Sequence, residues 1–332
     1  MAAAARVYGA AFEVMQRKFG TVRMYLREHR NSDHDSERCM GWLIQEYSSL
    51  PHTMGAPKHS ESVSQANSQH NRYSNVLAYD YNRVKLRPPA REYINANHIT
   101  SDASDGIGPP FHYVACQGPI PSTVSDMLHM VVQLKSPIVI MLARNREGGR
   151  EKCAQYLPER GARFGVIAGF RVDVGSEYTP LKGMYVRDLE ITPPGGAEPH
   201  RTRHIAFDAW PDFGVPADSS VLRAIQEEVR KAVPLPRGGQ KPGPPAVVHC
   251  SAGIGRSGSF LAVDIALRRL DFLAREGGDV DVRRIEAALD VRETVTMLRG
   301  MRCGCVQGLE QYCFIYNSVL EGVMERAGVK GM

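Results

Sequence analysis

The sequence predicts an α/β fold, and three observations carry the prediction. Val247-Val248 closes a short apolar run of buried-strand type, and Ser257 through Leu270 carries Phe260, Leu261, Val263, Ile265 and Leu267 in the manner of a buried helix. Between the two lies a loop of small residues, so a strand feeds directly into a helix. At 332 residues the chain is long enough for one large or two modest domains; no internal repeat is apparent, and its chemistry-bearing motifs spread over most of its length.

From the N-terminus, Ala2 through Phe19 mixes apolar residues with Arg6, Glu13, Arg17 and Lys18. That segment is too short and too charged for a membrane span or a secretory signal core, and reads as an amphipathic helix packed on the domain. Gly41-Trp42-Leu43-Ile44 continues a second helix. The polar run from Pro51 to Gln69 reads as a loop, and Pro234-Leu235-Pro236 and Pro242-Gly243-Pro244-Pro245 bracket a surface connector. The net charge is +5, with Arg17, Lys18, Arg23, Arg27 and Arg30 spaced rather than run together, which gives no footprint for nucleic acid. A mild positive field steers small anions instead. Seven cysteines, an odd number without framework spacing, fit a reducing, cytoplasmic compartment. Cys303-Gly304-Cys305 with Cys313 lacks the paired spacing and the histidine partner of a metal site, so neither metal nor cofactor is expected.

The strand-to-helix loop, Cys250-Ser251-Ala252-Gly253-Ile254-Gly255-Arg256, holds the chemistry. A phosphoryl dianion needs many donors at short range, and successive backbone N–H groups ending at a helix N-terminus supply them. Gly253 and Gly255 permit the wrap, while Ser251 and Ala252 leave the cavity open. Arg256, six residues after Cys250, adds a planar fork for two oxygens. The same donors stabilise a Cys250 thiolate below the unperturbed value of about 8.5. His249 is placed to orient the loop, and Ser257 to donate to the sulfur. A phosphate ester attacked by a thiolate also needs an acid for its leaving group. Trp210-Pro211-Asp212-Phe213-Gly214-Val215-Pro216 offers Asp212 on a segment composed to close as a unit.

Together these segments resemble the catalytic domain of the protein tyrosine phosphatases, the phosphotyrosine-specific cysteine-dependent enzymes, and here of a single-domain non-receptor type. Asn71-Arg72-Tyr73, Tyr93-Ile94-Asn95-Ala96, Gln117-Gly118-Pro119, Glu147 with Lys152-Cys153-Ala154-Gln155-Tyr156, the two loops above, and Val306-Gln307 with Gln311-Tyr312 follow one another in the family's order over roughly residues 40–325. The resemblance implies a highly twisted mixed sheet flanked by helices, with a helical extension at residues 1–40 and the catalytic domain at 41–332. It implies Cys250 as nucleophile, Asp212 as acid and then base, and Gln307 as the group that places water, assisted by Gln311. Arg256 and Ser257 join them, Glu147 pairs with Arg256, and Lys152 contacts the Asp212 segment flanked by Trp210.

For substrate binding the resemblance implies Tyr73, Asn75, Val76, Phe213, Gln311 and the loop Ser251, Ala252, Gly253, Ile254, Gly255 and Arg256. Tyr73 at the rim of a deep pocket favours an aryl phosphate over phosphoserine. Lipid-phosphatase relatives commonly place lysines inside the cysteine loop, where this chain has Ser251 and Ile254. Phosphotyrosine-containing proteins are therefore the expected partners, with phosphate or another oxyanion in the site and a monomer as the working unit. Five positions depart from the family: Ser74 and Asn75 replace a basic residue and an aspartate, Leu128 and Leu157 replace tryptophans, and Gly308 replaces a threonine. Arg299 aligns with an arginine that in some relatives helps form a second anion pocket, against the alternative of an exposed or core-pairing side chain.

Overall fold

One short central strand organises the computed structural model, which describes residues 2–28, 35–53, 58–101, 106–211, 214–216, 218–236, 240–277, 279 and 281–329, with side chains from 3 to 17 and from 41 onward. The chain begins with α1 (Ala2–Glu28), α2 (Asp35–Ser48) and the short α3 (Ser62–Ala66), then enters β1 (Arg83–Lys85), β2 (Tyr93–Ser101) and β3 (Phe111–Cys116). Helix α4 (Val124–Gln133) leads to β4 (Ile138–Met141), the small ribbon β5 (Arg146–Glu147) and β6 (Arg150–Glu151), and the meander β7 (Phe164–Ile167), β8 (Phe170–Leu181), β9 (Met184–Thr192) and β10 (His200–Phe207). Helix α5 (Ser220–Ala232), strand β11 (Ala246–His249) and helices α6 (Gly255–Glu276), α7 (Val282–Ala288), α8 (Val291–Met301) and α9 (Leu309–Arg326) complete the described elements.

The main sheet has nine strands among the described residues, in the order β1-β2-β3-β11-β4-β10-β9-β8-β7. It is mixed: β11 runs parallel to both β3 and β4, β4 runs parallel to β10, and the outer pairs are antiparallel. A parallel strand covered on both faces reads as a continuous apolar run. That is why Ala246, Val247 and Val248, all fully buried, were visible in the sequence. Val248 joins the core beneath α1, α5, α6, α8 and α9, and Val247 joins the core beneath α4, as strand alternation requires. Leu128 and Leu157 both fill the core on the α4 side. Because β11 lies between parallel neighbours, its carboxyl end opens where ligands bind in such sheets.

Three expected boundaries differ. Helix α6 begins at Gly255, before Ser257, and continues past Leu270 to Glu276. The end of the cysteine loop supplies its first turn, and buried Leu273 and Ala274 extend its contact with the core. Helix α1 runs on past Phe19 to Glu28. Gly20 weakens a helix by only about 1 kcal/mol, and no proline follows to stop it. The loop expected from Pro51 to Gln69 contains α3 and a 3-10 turn at Ser68–His70. The Asp80 carboxylate accepts from the amides of Ser62 at 3.0 Å and Val63 at 3.1 Å, so the start of α3 is held by a residue from beyond the local pattern.

Helix α1 carries Val7, Ala11, Val14 and Met15 as a buried stripe within the same core as β11. The expected division at residues 40 and 41 falls inside α2. No described helix is long and apolar enough to cross a membrane. Met15 is fully buried, so Met15→Ala should lower unfolding stability by about 2–5 kcal/mol through lost contacts and a residual cavity. Urea unfolding measures this, and a loss below about 0.5 kcal/mol would contradict the packing of α1.

Candidate active site

The loop after β11 folds as a cradle because its backbone is held from outside. Arg302, fully buried, donates Nε to the Gly253 carbonyl at 2.9 Å and Nη2 to the Ala252 carbonyl at 3.0 Å. Its remaining donors reach Asn97 Oδ1 and Asn95 Oδ1, each at 2.9 Å. With these carbonyls turned outward, the Gly253 N–H lies 3.2 Å from Cys250 Sγ. Gly253 has φ +72°, and a side chain there would overlap the Cys116 carbonyl.

Burial pushes the Cys250 thiol up, but the Ser257 hydroxyl and amide, the Arg256 guanidinium and the Gly253 amide outweigh it and hold its pKa below the ordinary thiol value. Ser257 Oγ is buried and has no hydrogen-bond partner among the described residues, so no other group competes for its donor as the sulfur becomes a thiolate. The contrast with the other described thiols is sharp. Burial pushes Cys116 and Cys305 up to about 12, and Cys303 and Cys313 up to about 11. All six described cysteines are free.

Arg256 is fixed as a fork. Its Nη1 and Nη2 meet the two carboxylate oxygens of Glu147 at 2.7 and 2.8 Å, and Nη1 also donates to the Leu142 carbonyl at 3.2 Å. Glu147 is buried and accepts in addition from the Arg144 amide at 2.9 Å. Such a bidentate buried pair orients the fork more than an exposed pair does. Arg256 Nη2 further donates to the Pro211 carbonyl at 3.0 Å, so it touches the segment that leads to Asp212. Asp212 and Phe213 lie outside the described residues. Trp210, on the near side, is buried against Phe207 and Phe314.

One cleft of about 330 Å³ is lined by Cys250, Ser251, Ala252, Gly255, Arg256, Tyr73, Asn75, Val76, Glu147, Lys152, Gln307 and Gln311. Gly253, Ile254, Ser257 and His249 stand behind its wall rather than in it. Tyr73 reaches across the rim, with its hydroxyl 2.8 Å from Ser251 Oγ. Arg72 places it there by donating to the carbonyls of Gly118 at 3.1 Å, Pro119 at 2.6 Å and Glu151 at 2.9 Å.

Gln307 follows a strained residue. Val306 has φ +60°, a region costly for a β-branched side chain. Its amide donates to the Ile254 carbonyl at 3.1 Å, and its carbonyl accepts from Arg299 Nη2 at 3.0 Å. The Gln307 carbonyl accepts from the Tyr47 hydroxyl at 2.9 Å, and the Gln307 amide donates to Gln311 Oε1 at 2.9 Å. Gln311 has room because a side chain at Gly255 would stand 2.8 Å from its Nε2. Arg299 itself is buried, gives its other donors to the carbonyls of Cys305 and Pro51 at 3.0 Å each, and lies over the Tyr47 ring. Of the two roles open to it, the core-pairing one is the role the structure shows.

A buried chain of hydrogen bonds supports the loop from below. His249 Nδ1 lies 3.1 Å from the Cys250 carbonyl, which only accepts, so Nδ1 carries the proton. Its Nε2 then accepts from the Tyr156 hydroxyl at 2.7 Å. Tyr156 in turn accepts from His204 Nε2 at 3.0 Å, and His204 Nδ1 faces Arg187 Nη2 at 3.4 Å. Burial pushes His249 down to about 4, keeping the imidazole neutral over the ordinary working range. Sequence reasoning missed Arg302, Arg187 and His204, since nothing in residue spacing marks a polar side chain whose partners are distant in sequence.

A cysteine of lowered pKa beside a loop amide, closed by an arginine fork, defines the class of site: a thiolate centre lined by hydrogen-bond donors. The chain belongs to the protein-tyrosine phosphatase family, whose profile matches residues 67–321. It is 36% identical over 268 residues to the receptor-type tyrosine-protein phosphatase F of Mus musculus, covering 79% of this chain and 13% of that protein. It is 36% identical over 272 residues to the tyrosine-protein phosphatase Lar-like of Caenorhabditis elegans, covering 79% of this chain and 11% of that protein. Identity to the receptor-type tyrosine-protein phosphatase S of Gallus gallus is 35% over 287 residues, or 85% of this chain and 17% of that protein. The chain thus spans between about a tenth and a sixth of the length of these relatives.

Iodoacetate should alkylate Cys250 first among the described thiols, with a rate that persists below the ordinary thiol pKa of about 8.5 and falls only as the pH drops through the depressed value. Peptide mapping after brief treatment at pH 6.5 tests this. Equal labelling of Cys303 or Cys313 would contradict the electrostatics described.

Proposed function

We propose that the chain hydrolyses phosphotyrosine in proteins through a phosphocysteine on Cys250. One observation carries the reading: the depressed-pKa sulfur and the Arg256 fork share the floor of a cleft whose rim is Tyr73. The Cys250 thiolate attacks phosphorus, a P–S bond forms, and the P–O bond to the tyrosine ring breaks. Asp212 gives its proton to the departing phenolate. The resulting carboxylate then takes a proton from water, whose oxygen attacks phosphorus. The P–S bond breaks, and the sulfur returns as a thiolate hydrogen-bonded by Ser257. Gln307, with Gln311, positions that water, since an amide donates and accepts without competing as a charge. Amides of the Cys250 loop and Arg256 hold the equatorial oxygens in both steps.

Specificity follows from depth. Tyr73 provides a ring wall for an aromatic ester, and the short phosphoserine side chain stops above the sulfur. Ser251, Ala252 and Ile254 bring no lysine to meet further phosphates, so an inositide is a poor fit. Asn75 lines the cleft without the charge that strengthens a bond to a peptide amide. Ser74 removes a basic partner for acidic flanking residues, so peptide selection at the rim is broad. Lys152 lines the cleft beside Glu147, where it would meet the Asp212 segment. A reducing, cytoplasmic setting suits the free cysteines, and a monomer is sufficient, because one chain lines the whole cleft.

Cys250→Ser should abolish turnover while retaining phosphopeptide binding. Asp212→Ala should lower kcat on phosphotyrosine about a hundredfold or more, and least for esters with acidic leaving groups. Normal turnover by Asp212→Ala would transfer the acid role elsewhere. Rates on matched phosphotyrosine, phosphothreonine and inositide substrates test the class, and equal rates on all three would overturn it.

A further inference from the structure

The hydrogen bonds behind Cys250 cross the sheet, and both ends of that chain admit one role only. At the far end Arg187 on β9 stands directly opposite His204 on β10 in the strand register, with Nη2 3.4 Å from the imidazole Nδ1. A guanidinium only donates, so His204 Nδ1 accepts and Nε2 carries the ring proton. At the near end the Cys250 carbonyl only accepts, so His249 carries its proton on Nδ1. Tyr156 joins the two rings, 3.0 Å from His204 Nε2 and 2.7 Å from His249 Nε2, and packs edge-on against both. Its oxygen accepts from His204 and its hydroxyl donates to His249. Each ring nitrogen is paired, and neither imidazole needs a charge.

This arrangement depends on the end that only donates. With a residue at position 187 that cannot donate, His204 is free to carry its proton on Nδ1 and to turn a bare Nε2 toward Tyr156. The one hydroxyl proton then faces two acceptors. Whichever imidazole loses it holds a lone pair against the tyrosine oxygen, in a buried site where an unpaired group is costly. Uptake of a proton by that ring relieves the conflict. The charges that oppose such uptake include Arg187 itself: burial, then Arg187 and His249, hold His204 down, while burial and Arg72 hold His249 down against the Cys250 carbonyl. Tyr156 is further flanked by Cys153 and Cys116, thiols that burial keeps protonated, and Arg187 by Glu177 and Arg160.

We propose that Arg187 is a positioning residue for the active site: by donating to His204 it sets the tautomer of both imidazoles and keeps His249 uncharged behind the Cys250 loop. It acts through His204, Tyr156 and His249, and it does not line the cleft. The consequence is chemical. An imidazolium beside the loop would stabilise the thiolate further, and a thiolate of lower pKa is a weaker nucleophile. The role deepens the reading of Cys250 as the nucleophile and rests on it.

Imidazole nitrogen NMR of the full chain reads the tautomers directly and needs no turnover. Near neutral pH, His204 should be protonated on Nε2 and His249 on Nδ1; the Nδ1–H form of His204, or a charged ring at either position, would overturn the proposal. In Arg187→Met, whose folding is checked by thermal unfolding, one of the two imidazoles should take up a proton at least about one pH unit above the parent chain. Below that pH, Cys250 of the variant should react with iodoacetamide faster than Cys250 of the parent. Loss of the Arg187 charge by itself would slow that reaction, so the faster rate marks the imidazolium. An unshifted imidazole titration or a slower alkylation in folded Arg187→Met overturns the proposal, and if that variant does not fold the parent tautomers decide it. The expected tautomers in a chain that fails to turn over p-nitrophenyl phosphate would leave Arg187 its hold on His249 and remove only the phosphatase reading.

Discussion

The active-site cradle depends on the buried guanidinium of Arg302. Burying an unpaired charge costs many kcal/mol, so such a group persists only where acceptors surround it. Here they are two carbonyls of the cysteine loop and two asparagine side chains from β2. The arrangement fixes the polarity of the loop. Each carbonyl drawn outward toward Arg302 turns its peptide unit, and the neighbouring N–H faces the cavity. Without that anchor the loop could present carbonyl oxygens to the cleft in place of N–H donors. Sequence composition supplies a loop able to wrap, whereas Arg302 decides which way the peptide units face.

Two further supports act in different directions. The Glu147–Arg256 pair sets the fork from the side, and the chain from Arg187 through His204, Tyr156 and His249 sets the Cys250 carbonyl from below. Because His249 and His204 are both kept neutral by burial, this chain has one consistent proton direction, and the imidazole next to the sulfur carries no charge. The lowered pKa of Cys250 is therefore left to the donors that touch it.

The parts of this molecule legible in the sequence are those whose physics is local. Strand β11 shows as an apolar run because parallel neighbours and two cores cover it. The cysteine loop shows because wrapping an anion restricts residue type over a few consecutive positions. The extent of α1 and α6, and the presence of α3, were less legible, since a remote carboxylate or a shared core sets them rather than a local stop signal. Arg302 is the extreme case: its partner Asn97 lies 205 residues away in sequence. Arg299 was open between an anion-binding and a core-pairing role, and only the positions of three carbonyls and the Tyr47 ring resolve it.

The hydrogen bond from Tyr47 to the Gln307 carbonyl gives α2 a part in the cleft, although no residue of α2 lines it. Gln307 sits just after a strained turn, so its position is a balance between that strain and the contacts restraining it. A partner that pulled on α2 would slacken Gln307, the group proposed to place water, while leaving Cys250 and its cradle intact. In the proposed reaction the chain would then still accept a phosphoryl group at full speed and release it slowly, accumulating with phosphorus held on the Cys250 sulfur.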